Sequence, residues 1–198
     1  MDRSQTPTDT PPHGSGRTAG VWGAGLVRGI WLAACVLFLF AGPSLRAGWA
    51  LDDRETIEQN PLVGGDAPAW TAFAQDFWHH KGDAGLYRPL VTLSLRWNHR
   101  LTGPEPLGFH AFNLALHLLV VLWAGLLFRR WSRTGSVPWI GLVLFALHPI
   151  QSEVIVWIAG RSSSLCALLG LIPLVLASGE SGRGARPTWV IAVAAGLG

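Results

Sequence analysis

Residues 107–128, "LGFHAFNLALHLLVVLWAGLLF", contain no Asp, Glu, Lys or Arg. In lipid every backbone polar group needs an internal partner, so a run of about 20 apolar residues becomes a membrane-crossing helix. One such run already commits the chain to a bilayer. A second apolar segment, at about 21–43, holds "GIWLAACVLFLFAG". A third, "VPWIGLVLFALHPIQSEVIVWIAGRSSSLCALLGLIPLVLAS", is too long for a single crossing. His148-Pro149 marks a break in it. Proline lacks an N–H, disfavours helix in the residue before it, and sits well at the start of a new helix. The pattern predicts a short span at 137–147 and a longer helix at 149–177. The final "PTWVIAVAAGLG" starts a fifth span at 187–198 and supplies about a dozen of the 20 residues needed, so the bundle is expected to be cut within it. The fold class predicted is all-α integral membrane, a multispanning helix bundle.

Composition agrees. Only 14% of the chain is charged, against about 25% in a soluble domain. The net charge is +3 and the sequence pI is near 9.5, yet the basic residues do not gather on a polar domain. They read as topology signals and not as a nucleic-acid surface. Residues 1–20 are rich in Pro, Thr, Ser and Gly and predict a disordered cytoplasmic tail. Cys35 and Cys166 lie inside apolar runs and read as small core residues, not a disulfide. Trp22, Trp49 and Trp139 fall near span ends, where indole rings favour the interface.

Arginine marks the sides. Arg17 and Arg28 flank the first span, Arg129, Arg130 and Arg133 follow the second, and Arg183 and Arg186 follow the fourth. With four alternating spans these share one side, the cytoplasmic one. The segment 44–106 is then an outer loop. Within it Leu90, Leu93, Trp97 and Leu101 share a helix face, which predicts a helix lying on the membrane surface.

This placement gathers polar groups at one boundary: Asp52, Asp53, Tyr87, Arg88, His148, Glu153 and Arg161. Polar groups converging at a membrane surface mark a functional site. Asp52-Asp53 in "LDDRETIEQN" has two readings. Acids stabilise the positive end of a helix; paired acids also raise each other's proton affinity, which suits a general base. Glu153, Trp157 and Arg161, spaced by four, would share a face of one helix. Arg161 fits a phosphate through its planar fork, or snorkels as an end marker. His110, Asn113 and His117 form a stripe in the second span that should face the bundle, for interhelical hydrogen bonds or substrate contact. His79-His80 has no matching ligand set, so no metal site is expected, and no Gly-rich phosphate loop, CxxC or GxSxG is present.

"LDDRETIEQNPLV", "DFWHH", "YRPLVTLSLRWNHRLTG", "PLGFHAFNLALHLLV" and "LFALHPIQSEVIVWIAGRSSSL" occur in that order over about residues 50–175. The set resembles the transmembrane and tetratricopeptide-repeat O-mannosyltransferases and their bacterial relatives, within the GT-C class of multispanning glycosyltransferases. The resemblance implies that 21–198 is the N-terminal part of a glycosyltransferase domain in a bacterial inner membrane. It implies Asp53 or Asp52 as catalytic carboxylate, Asp53 being favoured. It implies a polyprenyl-phosphate sugar, mannose, as donor substrate and no other cofactor, with a protein Ser or Thr hydroxyl as acceptor on the outer face. Phosphate or acceptor contacts are expected from Arg88, Tyr87, His148, Glu153 and Arg161. The family has more spans and then helical repeats; no 34-residue repeat occurs in this chain. A partner chain completing the bundle is therefore one expectation. The rival readings are a non-catalytic membrane scaffold or remnant binding lipid or a partner, and a transporter built on the His110, Asn113 and His117 stripe.

Overall fold

The computed structural model describes residues 16–82, 85–132, 134 and 136–178. The predicted fifth span, most of the predicted tail, and Arg133, Arg183 and Arg186 lie outside the described residues. The described chain is helical, with no strand among the described residues.

Helix α1 (Gly16–Val36) runs through a π-helical turn, Leu37–Ala41, into α2 (Gly42–Arg46). Residues 16–20 are thus helical, as the apolar span propagates its helix back into "GRTAG". The wide turn has a local cause. Pro43 has no N–H to offer the carbonyl four residues back and its ring crowds that carbonyl, so the chain loosens to the next partner. The crossing continues to Arg46, past the expected end at 43.

The segment between the first two spans folds into short pieces: α3 (Asp53–Ile57), α4 (Pro61–Gly64), two 3₁₀ turns (Ala69–Phe73 and His79–Lys81) and α5 (Pro89–Thr102). Helix α5 turns Leu90, Trp97 and Leu101 outward and buries Val91, Thr92, Leu95, Arg96 and Asn98. Arg96 ties the segment together by donating to the carbonyls of Leu62 and Ala67. Asn60 caps α4 through Leu62 N–H at 2.9 Å and donates to the carbonyl of Phe77 at 3.1 Å.

Helix α6 (Pro106–Trp131) opens with proline, whose missing N–H is no loss in a first turn, and closes on Arg129 and Arg130, cations suited to the negative end of the helix dipole. Beyond it come α7 (Trp139–Leu147), α8 (Gln151–Val156), a 3₁₀ turn (Ile158–Gly160) and α9 (Arg161–Ala177). The expected partition at 137–147 and 149–177 needs correction. Helix α7 has nine residues, about 13 Å of axis, and cannot cross alone. The 149–177 run is not one helix, because it breaks again at Trp157. Helices α7 and α8 together climb beside α6: Leu142 packs near Gly125, Ala146 bonds to His117, and Val154 bonds to Asn113. Helix α9 alone makes the return.

Among the described residues three stretches are each long and apolar enough to cross a membrane: Ala24–Arg46, Pro106–Trp131 and Ile158–Ala177. The main core joins α1, α6, α7 and α8 through Leu32, Val36, Leu114, Val121, Leu142 and Ile155. The outward faces stay apolar, with Leu26, Ile30, Trp31 and Phe38 exposed, as lipid-facing positions should be. Cys35 and Cys166 are exposed too, and not in the core as the sequence suggested. A small thiol in an apolar run is equally suited to lipid.

Candidate functional site

The Asp52-Asp53 turn sits where α2 has ended and α3 begins. Leu51, just before it, has φ of 50°, a left-handed conformation that costs a leucine energy. The turn is held shut by Asp53 N–H on the carbonyl of Ala50 at 2.9 Å and by Ala50 N–H on Asp53 Oδ2 at 3.1 Å.

The two carboxylates have opposite surroundings. Asp53 is fully buried. Its Oδ2 also accepts from Ile158 N–H at 3.2 Å, and its Oδ1 accepts from Ala159 N–H at 3.0 Å. Burial pushes its carboxyl above the ordinary range, three backbone N–H groups pull the other way, and the charge of Asp52 adds to the upward push. Asp52 is partly exposed. Its Oδ1 accepts from Trp157 Nε1 at 2.8 Å, and its Oδ2 takes no hydrogen bond from the described residues.

The far side of this contact is the second break. Trp157 is extended, with φ −78° and ψ 112°. The Asp53 carboxylate takes the N–H groups of Ile158 and Ala159, and the Asn113 amide lies 3.3–3.4 Å from the carbonyls of Val154, Trp157 and Ile158. Side chains from elsewhere thus satisfy backbone groups that a continuing helix would have paired. Gly160 makes a close approach here: a Cβ would lie 3.2 Å from both the carbonyl of Glu153 and the Trp157 ring, so those neighbours would have to give by a few tenths of an ångström.

Arg161 follows at once and is wholly buried. Its Nε donates to Asn113 Oδ1 at 2.8 Å and its Nη2 to Asn98 Oδ1 at 2.7 Å. The guanidinium lies 4.5 Å from the centre of the Phe112 ring and 5.8 Å from that of Phe109. Enclosed this way, it fastens α5, α6 and α9 together and is closed to an incoming phosphate. Nη1 has no partner.

Apart from the Arg161 contact of Asn113, the polar stripe of α6 is spent on backbone. His110 Nε2 lies 3.2 Å from the carbonyl of Gly48, and His117 Nε2 lies 3.1 Å from that of Ala146. With Asn113 they pin the chain entering the carboxylate turn and both parts of the broken crossing to one helix.

Other expected site residues do not join this cluster. His148 and Glu153 are exposed, and neither side chain bonds to the carboxylates. His148 Nδ1 accepts from Ile150 N–H at 3.2 Å inside its own turn. The break at Trp157 also turns Glu153 off the face it would have shared with Arg161. Tyr87 is exposed and donates to the carbonyl of Phe73 at 2.9 Å. Arg88 is partly exposed, just before α5, and lines a cleft with the first turns of α9. Among the described residues no group of three metal-ligating side chains is close enough to hold an ion.

Sequence reasoning missed Asn98 and Arg96. A signal was available: both lie on α5 off the apolar stripe, about 100° to either side of Trp97, where a helix resting on lipid by that stripe would turn them toward protein.

Comparison with known proteins gives the lineage. The chain is 39% identical to Protein O-mannosyl-transferase TMTC1 of Mus musculus over 150 residues, 71% of this chain and 15% of that protein. It is 30% identical over 188 residues to Protein O-mannosyl-transferase Tmtc3 of Drosophila melanogaster, 79% of this chain and 20% of that protein. It is 35% identical over 157 residues to Protein O-mannosyl-transferase TMTC2 of Mus musculus, 74% of this chain and 18% of that protein. This chain belongs to the TMTC family. It spans a fifth or less of the length of these relatives, and its long apolar helices make it an integral membrane protein. No family model and no solved structure matches it.

Proposed function

We propose that the protein carrying this chain is a membrane glycosyltransferase. It moves mannose from a polyprenyl-phosphate donor to a protein Ser or Thr hydroxyl. The carrying observation is the division of labour in the acidic pair. Asp53 is consumed in structure, while Asp52 keeps one oxygen unbonded by the described residues beside it.

Asp52 is therefore the reacting carboxylate, and Asp53, favoured from sequence, positions it. Asp52 Oδ2 takes the proton of the acceptor hydroxyl. The hydroxyl oxygen attacks the anomeric carbon, the sugar–phosphate C–O bond breaks, and its electron pair leaves with the phosphate. A cation near the leaving phosphate lowers the barrier as that charge grows. The Trp157 indole fixes the orientation of Asp52. Arg28, Arg129 and Arg130 lie toward the end of the bundle opposite the acidic pair, which supports a cytoplasmic basic end and an acidic pair on the outer face of a bacterial inner membrane.

The test uses the full-length protein in lipid, labelled polyprenyl-phosphate mannose and a Ser/Thr peptide. Wild type should label the peptide. Asp52→Asn should lose about 10²–10⁴-fold in rate with an unchanged melting temperature, since an amide oxygen still accepts from Trp157. Full activity of Asp52→Asn would remove it as base, and no transfer by wild type would end the reading.

A further inference from the structure

The cleft of about 410 Å³ between the residues leading into α5 and the first turns of α9 serves neither carboxylate. Its two ends differ. At the outer end Arg88 offers a guanidinium with no hydrogen-bond or ion-pair partner among the described residues, beside Ser162 and Ser163. Ser163 is exposed and its hydroxyl is uncommitted; Ser162 Oγ reaches the carbonyl of Ala159 at 3.4 Å. At the other end the walls are Leu165, Cys166 and Leu169.

Ser162, Cys166 and Leu169 follow one another at i, i+4 and i+7, down a single face of α9. That helix is part of the Ile158–Ala177 stretch able to cross a membrane. The cleft thus grades from cationic and hydroxylic at the boundary to apolar within the bilayer. A soluble phosphate or sugar phosphate has no use for the lower half, and a neutral lipid has none for the upper. An anionic amphiphile with one phosphate head uses both: Arg88 pairs with the head, and the chain lies along Cys166 and Leu169.

We infer that this cleft binds the phosphate end of a membrane lipid monophosphate, the head on Arg88 and the chain along α9. The assignment rests on the function proposed above and gives its donor a place. The position suits that role, because the cleft adjoins the turn, Ile158–Gly160, whose N–H groups Asp53 holds.

Cys166 is an exposed reporter within the cleft, and Cys35, exposed on α1, is an internal control. The full-length protein in nanodiscs is alkylated with a maleimide, read peptide by peptide. A long-chain polyprenyl phosphate near ten times its Kd should slow Cys166 labelling about tenfold and leave Cys35 unchanged. Inorganic phosphate and the uncharged polyprenol should not protect. Arg88→Gln should lose the protection and Arg88→Lys should keep part of it; the side chain bonds none of the described residues, so both should remain folded. Equal protection by polyprenol or by inorganic phosphate would overturn the assignment, and so would no protection by polyprenyl phosphate. Asp52-dependent transfer from a lipid donor without protection of Cys166 would sink the cleft alone. Protection of Cys166 without any transfer would sink the transferase reading and keep the cleft.

Discussion

The long apolar run after α6 is interrupted twice, at His148-Pro149 and at Trp157–Gly160, and the two interruptions are unlike. The first is written in the sequence by a proline and closes on itself through Ile150 N–H on His148 Nδ1. The second has no proline. It is imposed from outside by Asp53 and Asn113, 105 and 44 residues away from the groups they hold. The first break is exposed and carries none of the site's contacts; the second fixes both carboxylates. A locally encoded kink lets a helix be short, whereas a break made by distant side chains can also position those side chains.

That contrast can be broken experimentally. Asp53→Ala should have the largest effect, because it orphans three backbone N–H groups at once. We expect a loss of roughly 3–5 kcal/mol, seen as a collapse of the helical melting transition in detergent, with transfer abolished. Near-normal melting would show that the second break stands without its carboxylate. Asn113→Leu comes next. It removes the acceptor of Arg161 Nε and the anchor of the break, and should cost roughly 2–4 kcal/mol by the same melting assay.

A pH titration sharpens the point. Asp53 is held above its ordinary value of 3.8, by burial first. The folded state therefore binds the proton more tightly than the unfolded state. The stability this gives is complete below 3.8, and it falls as pH rises through the raised value, then levels. Asp53→Asn should flatten that slope in melting temperature against pH, and an unchanged slope would assign it to another group. The smallest effect belongs to the first break. His148→Ala should change melting by less than about 0.5 kcal/mol and leave transfer intact. A large loss of transfer with normal melting would return His148 to the substrate.

Much of the bundle could be read from sequence for one reason. In lipid, length and apolarity alone decide whether a helix crosses, so α6 and the α1–α2 crossing were visible, as was the outward stripe of Leu90, Trp97 and Leu101. The lineage and the acidic pair were visible as well, because ordered short motifs survive in a linear text. Three things were decided by the tertiary structure. The run at 149–177 broke at Trp157, since carboxylate and amide groups from other elements outcompeted local helix pairing. Arg161 became an enclosed fastener, since Asn98, Asn113 and two phenylalanine rings closed around it. The pair Asp52-Asp53 was split into one buried and one open carboxylate. Adjacent identical residues differ only in which neighbours they meet, and those neighbours, Trp157 to Ala159, lie about a hundred residues along the chain.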